Sequence, residues 1–448
     1  MTVVYVCVVH DTMPKRATTV KPSRKARPVP LTRRLPVNHQ IDLFKQMDDR
    51  DFYSDNVQHV YLYNSICAKS VTRLKSQIRA ANRDHNAQAS NSNSSGGSGS
   101  RGGGHLRAMP KPIVVHMNSN GGDVTAGLTM LSVLSESLLP ICVLVDGVSA
   151  SAATFISLLA PYRVMTALSC SLIHEWHVNT LDRGYARRSD LEYILSSNSK
   201  HDNMLMKLLM SRVTATRSEV DALMLRDKVL DAPTCLKLGF VDRIIRPWAP
   251  VPRPVSMGAT DMMTLLRRPD ANHVQLGPLE GEDGEDTSKG YGLANVRILD
   301  KILASDSNQD LRPVVIHISH MSDSMFMNAW MQLFPTLARI GAMRTPVVGV
   351  IDSQLSLHEV LPILFCKHRA MYETATIALH IMYDVGRSWM LQDIIDNTQL
   401  LLSHVGNMLR EHTRLPPSII NNLHIQRLTL TAADCLRYGI VDAVLPVL

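Results

Sequence analysis

Short apolar runs alternate with helix-length amphipathic stretches along most of this chain, and glycine, proline or asparagine punctuates the joins. The spacing predicts a strand at residues 59–63, a helix at 70–81, and a strand at 113–117 that ends in the pair Gly121-Gly122. A helix is expected at 124–136, a strand at 141–145, a helix at 151–159, a strand at 171–174, a long helix near 189–209 and a closing Gly239-Phe-Val-Asp242 unit. Parallel strands need a crossover of about a dozen residues, and these helices supply it, so the pattern predicts a layered α/β fold with mostly parallel strands.

The pattern then runs a second time. Leu230-Asp-Ala-Pro-Thr-Cys-Leu-Lys-Leu-Gly-Phe-Val-Asp242 returns as Leu430-Thr-Ala-Ala-Asp-Cys-Leu-Arg-Tyr-Gly-Ile-Val-Asp442. Pro112-Ile-Val-Val-His116 returns as Pro313-Val-Val-Ile-His317, and Pro140-Ile-Cys-Val-Leu-Val-Asp146 as Pro346-Val-Val-Gly-Val-Ile-Asp352. A tandem duplication is the expected organisation. It divides the chain into a basic extension at 1–52, expected to be disordered, a first domain at 53–248, a linker at 249–270 opened by the prolines at 247, 250, 252 and 254, and a second domain at 271–448. The Asn/Ser/Gly-rich stretch 82–104 reads as a flexible insertion in the first domain.

Charge changes this picture only at the start. Residues 15–34 carry eight Lys and Arg with no acid, while the rest of the chain is nearly balanced around a net charge of +7. The arm therefore reads as a solvated tail, an organelle-targeting segment or, least favoured for want of interleaved aromatics, a nucleic-acid-binding arm. Seven cysteines stand singly, with no CxxC spacing, which points to a reducing compartment, cytoplasm or mitochondrial matrix, and to no zinc site. The apolar stretches at 3–9 and 152–159 are too short to span a bilayer, so the chain is expected to be soluble. No cofactor motif is present, and without a GxxxxGK loop any ATP-driven step belongs to a separate partner.

The candidate chemistry lies in the first domain. Ser151 opens a helix behind a glycine-containing turn, His174 closes a strand, Asp227 follows Arg226, and Gly121-Gly122 offers backbone N–H groups. A hydroxyl, a base, a carboxylate and an anion-binding loop are the parts that acyl transfer requires. Taken singly, Ser151 reads as a helix cap, His174 as a packed histidine and Asp227 as a solvated carboxylate.

In this order, Asn118-Ser-Asn-Gly-Gly122, Gly147-x-x-Ala-Ser151, Ile173-His174, Arg226-Asp227 and Gly239-x-Val-Asp242 resemble the proteolytic subunit of Clp protease. The resemblance spans residues 57–247 and, more loosely, 272–446. It implies two tandem Clp/crotonase-like α/β domains, with Ser151 as nucleophile, His174 as general base and Asp227 as orienting carboxylate. Backbone N–H groups of Gly122, or its neighbour Gly121, and of Ala152 would hold the oxyanion. It also implies peptide or unfolded-protein substrates, assembly with Clp-type subunits, and a ring ATPase as partner. The chain departs from the family at Ser119-Asn120, at Glu175-Trp176, and in a glycine-rich segment reduced to Gly184. In the second copy, Leu357 replaces the serine, His380 keeps the histidine and Arg427 replaces the acid, so residues 271–448 are expected to be catalytically dead. An inactive scaffold of a Clp-like assembly is the main alternative. A Ser/Lys signal-peptide peptidase lacks its lysine here, and a crotonase-like acyl-CoA enzyme would not need the Ser/His/Asp set.

Overall fold

A computed structural model describes residues 37–94, 111–175, 199–200, 203–248, 257–276, 291–306, 312–318, 326–381 and 391–446. The first half is built on strands β1 (Gln58–Leu62), β2 (Ile113–Ser119), β3 (Ile141–Ala150), β4 (Tyr162–Thr166), β5 (Cys170–Leu172), β6 (Leu230–Asp231) and β7 (Arg243–Ile245). β1-β2-β3-β4-β7 form one parallel layer. Every position of β2 and β3 is buried, so these strands are covered on both faces, the polar His116, Asn118, Ser119, Asp146 and Ser149 included. The far end of β3 leaves β4 and pairs instead with β5, which pairs antiparallel with β6. That departure carries the chain out of the main layer where Ser151 begins.

The second half repeats this order with β8 (Asn272–Leu276), β9 (Val314–Ile318), β10 (Val347–Ile351), β11 (Gln354–Ser356), β12 (His368–Tyr372), β13 (Thr376–Leu379), β14 (Leu428–Thr431) and β15 (Ala443–Leu445). β8-β9-β10-β12-β15 make the parallel layer and β11-β13-β14 the side sheet. The halves share a core. Val114, Leu144 and Val148 of the first half lie in one apolar cluster with Phe334, Leu337 and Ala338 of the helix Phe326–Ala342.

Several expectations are corrected. The extension expected to be disordered over 1–52 is folded from Val37 onward: a helix Val37–Gln46 and a turn Asp51–Tyr53 bury Phe44, Phe52 and Tyr53, and Phe44 stacks on Tyr162. Three aromatics among polar residues have no period to read, yet each buries enough surface to anchor the segment. The helix at 70–81 runs from Ala68 to Ser94, well into the presumed insertion, whose remainder lies outside the described residues. The linker contains a helix, Ala259–Leu266, whose Met262 is fully buried against Val315 and Val348. β4 escaped notice because Arg163 interrupts its apolar run; the guanidinium is buried but satisfied by Asp242, Gly239 O and Arg212 O. Of the helix near 189–209, residues 199–200 and 203–210 are described, and all are helical. Among the described residues, no helix is long and apolar enough to cross a membrane.

Candidate active site

Ser151 stands at the junction of β3 and the helix Ala152–Leu159 with φ 55° and ψ −124°, the sole non-glycine residue with positive φ among those described. A side chain held there costs about 1–3 kcal/mol and persists only where neighbours over-determine it. The neighbours are polar and buried. Ser151 N–H donates to Leu172 O (2.9 Å), while Thr154 Oγ1 donates to Ser149 O (2.7 Å) and Leu172 O (2.8 Å). Ser171 Oγ donates to Ser149 O (2.9 Å), and Ser149 and Ser157 share a hydroxyl contact of 3.0 Å. Sequence reasoning passed over these hydroxyls, although small polar residues inside two apolar runs were the available signal.

The glycine loop packs directly on this turn. A Cβ at Gly121 would lie 2.7 Å from Ser151 Cβ, 2.6 Å from Ala150 O and 3.0 Å from Ala152 N, so only glycine fits. Gly121 N–H is taken by Ser119 Oγ (3.2 Å). Gly122 bridges Ile66 through Ile66 N–H to Gly121 O (2.9 Å) and Asp123 N–H to Ile66 O (2.8 Å). In that parallel bridge the N–H of Gly122 itself points away from Ile66. Ala152 is the first residue of its helix, so its N–H has no acceptor within the helix.

Two short strands lead toward His174 and Asp227. β5 pairs with β3 so that Ala150 is beside Leu172, which sets His174 next to the Ser151 turn. β5 pairs with β6 as Cys170 with Asp231 and Ser171 with Leu230. His174 lies two residues past the end of β5, and Asp227 three residues before the start of β6. Glu175 N–H then donates to Met224 O (2.9 Å), closing the far side of the loop. Glu175 is exposed; Trp176 and the segment around Gly184 lie outside the described residues.

The same lines exist in the second half. β11 pairs with β13 as Ser356 with Ala378, and β13 with β14 as Leu379 with Leu428, so His380 comes opposite Arg427. Leu357 occupies the place of Ser151 and is buried. Burial and the Arg427 charge both lower the proton affinity of His380. The positions matching Gly121-Gly122 lie outside the described residues. Among the described residues, no group of three or more His, Cys, Asp or Glu could hold a metal ion.

Residues 106–247 match the family model described as Clp protease. This stretch is similar to a Clp protease domain. It contains Gly122, Ser151, His174 and Asp227. The ATP-dependent Clp protease proteolytic subunit 1 of Protochlamydia amoebophila is 28% identical over 137 residues, which is 30% of this chain and 66% of that protein. The ATP-dependent Clp protease proteolytic subunit of Streptococcus mutans is 29% identical over 137 residues, 30% of this chain and 69% of its own length. The chain thus spans about two thirds of the curated relatives it matches, and those matches engage less than a third of its own length.

Proposed function

We propose that the Clp-protease-like domain is a serine endopeptidase and that the second half is a tandem copy retained as structure. Ser151 Oγ attacks the peptide carbonyl as His174 takes its proton, and the oxyanion that forms is held by the N–H groups of Gly122 and Ala152. His174 then passes that proton to the departing amine, leaving an acyl ester on Ser151. Water attacks the ester with His174 again as base, releasing the carboxylic acid and restoring the hydroxyl. Asp227 keeps the imidazole oriented and stabilises it when charged. The observation that carries this reading is the positive φ of Ser151 packed against the Gly121 loop.

In the second half, leucine cannot attack a carbonyl, and arginine cannot orient an imidazole as a carboxylate does. By the family resemblance, the substrate is a peptide or unfolded protein, the assembly includes other Clp-type subunits and a ring ATPase delivers the substrate, while the scattered single cysteines suit a reducing compartment. A fluorophosphonate probe tests the proposal. Labelling at Ser151 that vanishes in Ser151→Ala supports it, and a folded, assembled sample that stays unlabelled leaves the inactive scaffold instead.

A further inference from the structure

The loop that bears Asp227 is held by the other half of the chain. Residues 227–229 lie between the helix Arg217–Met224 and β6, outside any strand or helix. The helix Leu391–His412 of the second half lies across them. Asp393, in its first turn, is fully buried, and its Oδ2 accepts Asp227 N–H at 3.0 Å while its Oδ1 accepts Arg226 Nε at 2.6 Å. Asn397, one turn on, donates from Nδ2 to Asp227 O at 2.9 Å and accepts Val229 N–H on Oδ1 at 2.8 Å. Asp396 adds ion pairs to Arg226 (3.1 Å) and Lys228 (3.2 Å) at the rim. Both backbone groups of Asp227 are therefore fixed from across the boundary, which sets the direction of its side chain.

We propose that Asp393 and Asn397 are positioning residues for the Ser151 site, so that a half without a triad of its own holds the acid of the other half's triad in place. This rests on the peptidase reading above. Interface adhesion alone would need only the ion pairs to Arg226 and Lys228. The two bonds to the Asp227 peptide groups act instead on the one residue whose orientation the imidazole depends on, and displacements of about 1 Å cost an active site up to roughly a hundredfold in rate.

The test uses the full chain and isosteric variants. Asp393→Asn keeps the shape and removes the charge; Asn397→Asp leaves the Arg226 ion pair intact and replaces the donor to Asp227 O with an acceptor. The rate of fluorophosphonate labelling at Ser151 is measured from pH 5 to 9 beside thermal unfolding, with the exposed Asp270→Asn as control. We expect labelling to fall about ten- to a hundredfold in both variants. The acid limb of the profile should also move to lower pH, because an imidazole that no longer faces a fixed carboxylate loses proton affinity. A purely structural contact would move the melt and not that limb. If Asp393→Asn does not fold, Asn397→Asp carries the test. Folded variants that label at the parental rate with the parental profile overturn the positioning role alone. A parent chain that does not label at all overturns the peptidase reading, and the positioning role with it.

Discussion

Replacing Arg339 with methionine should destabilise the whole chain, because this one side chain ties the halves through a buried charge cluster. The guanidinium, with no exposed surface, donates to Asp146 Oδ2 (3.0 Å), Asp300 Oδ1 (2.8 Å) and Pro335 O (2.9 Å). It sits 5.2, 5.9 and 6.0 Å from the ring centroids of Tyr53, Tyr61 and Tyr63. Asp146 is equally buried and would keep only Tyr63 OH (2.7 Å) and His116 Nδ1 (2.8 Å) on the same oxygen. Removing one member of a buried pair typically costs about 3–5 kcal/mol, and the cation–ring contacts add roughly 0.5–2 kcal/mol. Methionine keeps most of the apolar packing, so we expect a net loss near 4 kcal/mol, or a fall in Tm on the order of 10 °C, by calorimetry at pH 7. Acid should weaken the effect. Burial pushes the Asp146 carboxyl up, but Arg339, His116 and Tyr63 more than offset that and hold it below the usual range. Its contribution is thus present above the unfolded carboxylate pKa and lost as pH falls through the lower folded value. With Arg339 gone there is less of that contribution to lose, so the gap between variant and parent narrows toward acid. A fall under about 1 kcal/mol, or a double-mutant cycle with Asp146→Asn that shows no coupling, would refute the reasoning.

Three further outcomes follow from the same structure. Gly121→Ala should abolish labelling at Ser151, since its Cβ would fall 2.7 Å from Ser151 Cβ at a φ of +93°, while urea titration registers a loss of only about 1–3 kcal/mol. Burial and the neighbouring His116 lower the His59 imidazole to about 4, so the unfolded chain binds more protons between that value and its ordinary 6.5. Stability should therefore drop by roughly 3 kcal/mol as pH falls through that window, and urea midpoints in His59→Gln should lose that part of the slope. His380→Ala should leave peptide turnover unchanged; a large loss at constant assembly would contradict a dead second copy.

Much of this was legible in the sequence because it rests on local pattern. The cores of β2 and β3 appear as short apolar runs, Ile113–Val115 and Ile141–Val145, and the second half announces itself through matching segments. What escaped reading depends on partners far apart in the chain. A charged residue in a sequence reads as surface, yet Arg339 is buried on Asp146, 193 positions away, and Asp393 on Arg226, 167 positions away. No period predicts such pairs. The packing of Phe44, Phe52 and Tyr53 was missed for the same reason: their partners belong to the finished sheet and not to their own segment.

The two halves also show that the strain at Ser151 is not imposed by the scaffold. Ladder registers match between them, Ala150 beside Leu172 and Ser356 beside Ala378, so the backbone delivers both turns to the same place. Yet Ser356 caps its helix at φ −87° in ordinary extended geometry, with Glu359 completing a capping box, and the helix begins one residue earlier to bury Leu357. The hydroxyls that lock the first turn have apolar counterparts: Ser149 corresponds to Leu355, Thr154 to Val360, Ser157 to Ile363 and Ser171 to Ile377, all four buried. Replacing both partners of a buried hydrogen bond with apolar groups can be neutral or stabilising, so nothing in the fold requires the polar version. A strained serine enclosed by buried hydroxyls is the costlier of two solutions to the same turn. It is kept in the half whose sequence carries His174 and Asp227, and relaxed in the half where Arg427 corresponds to Asp227.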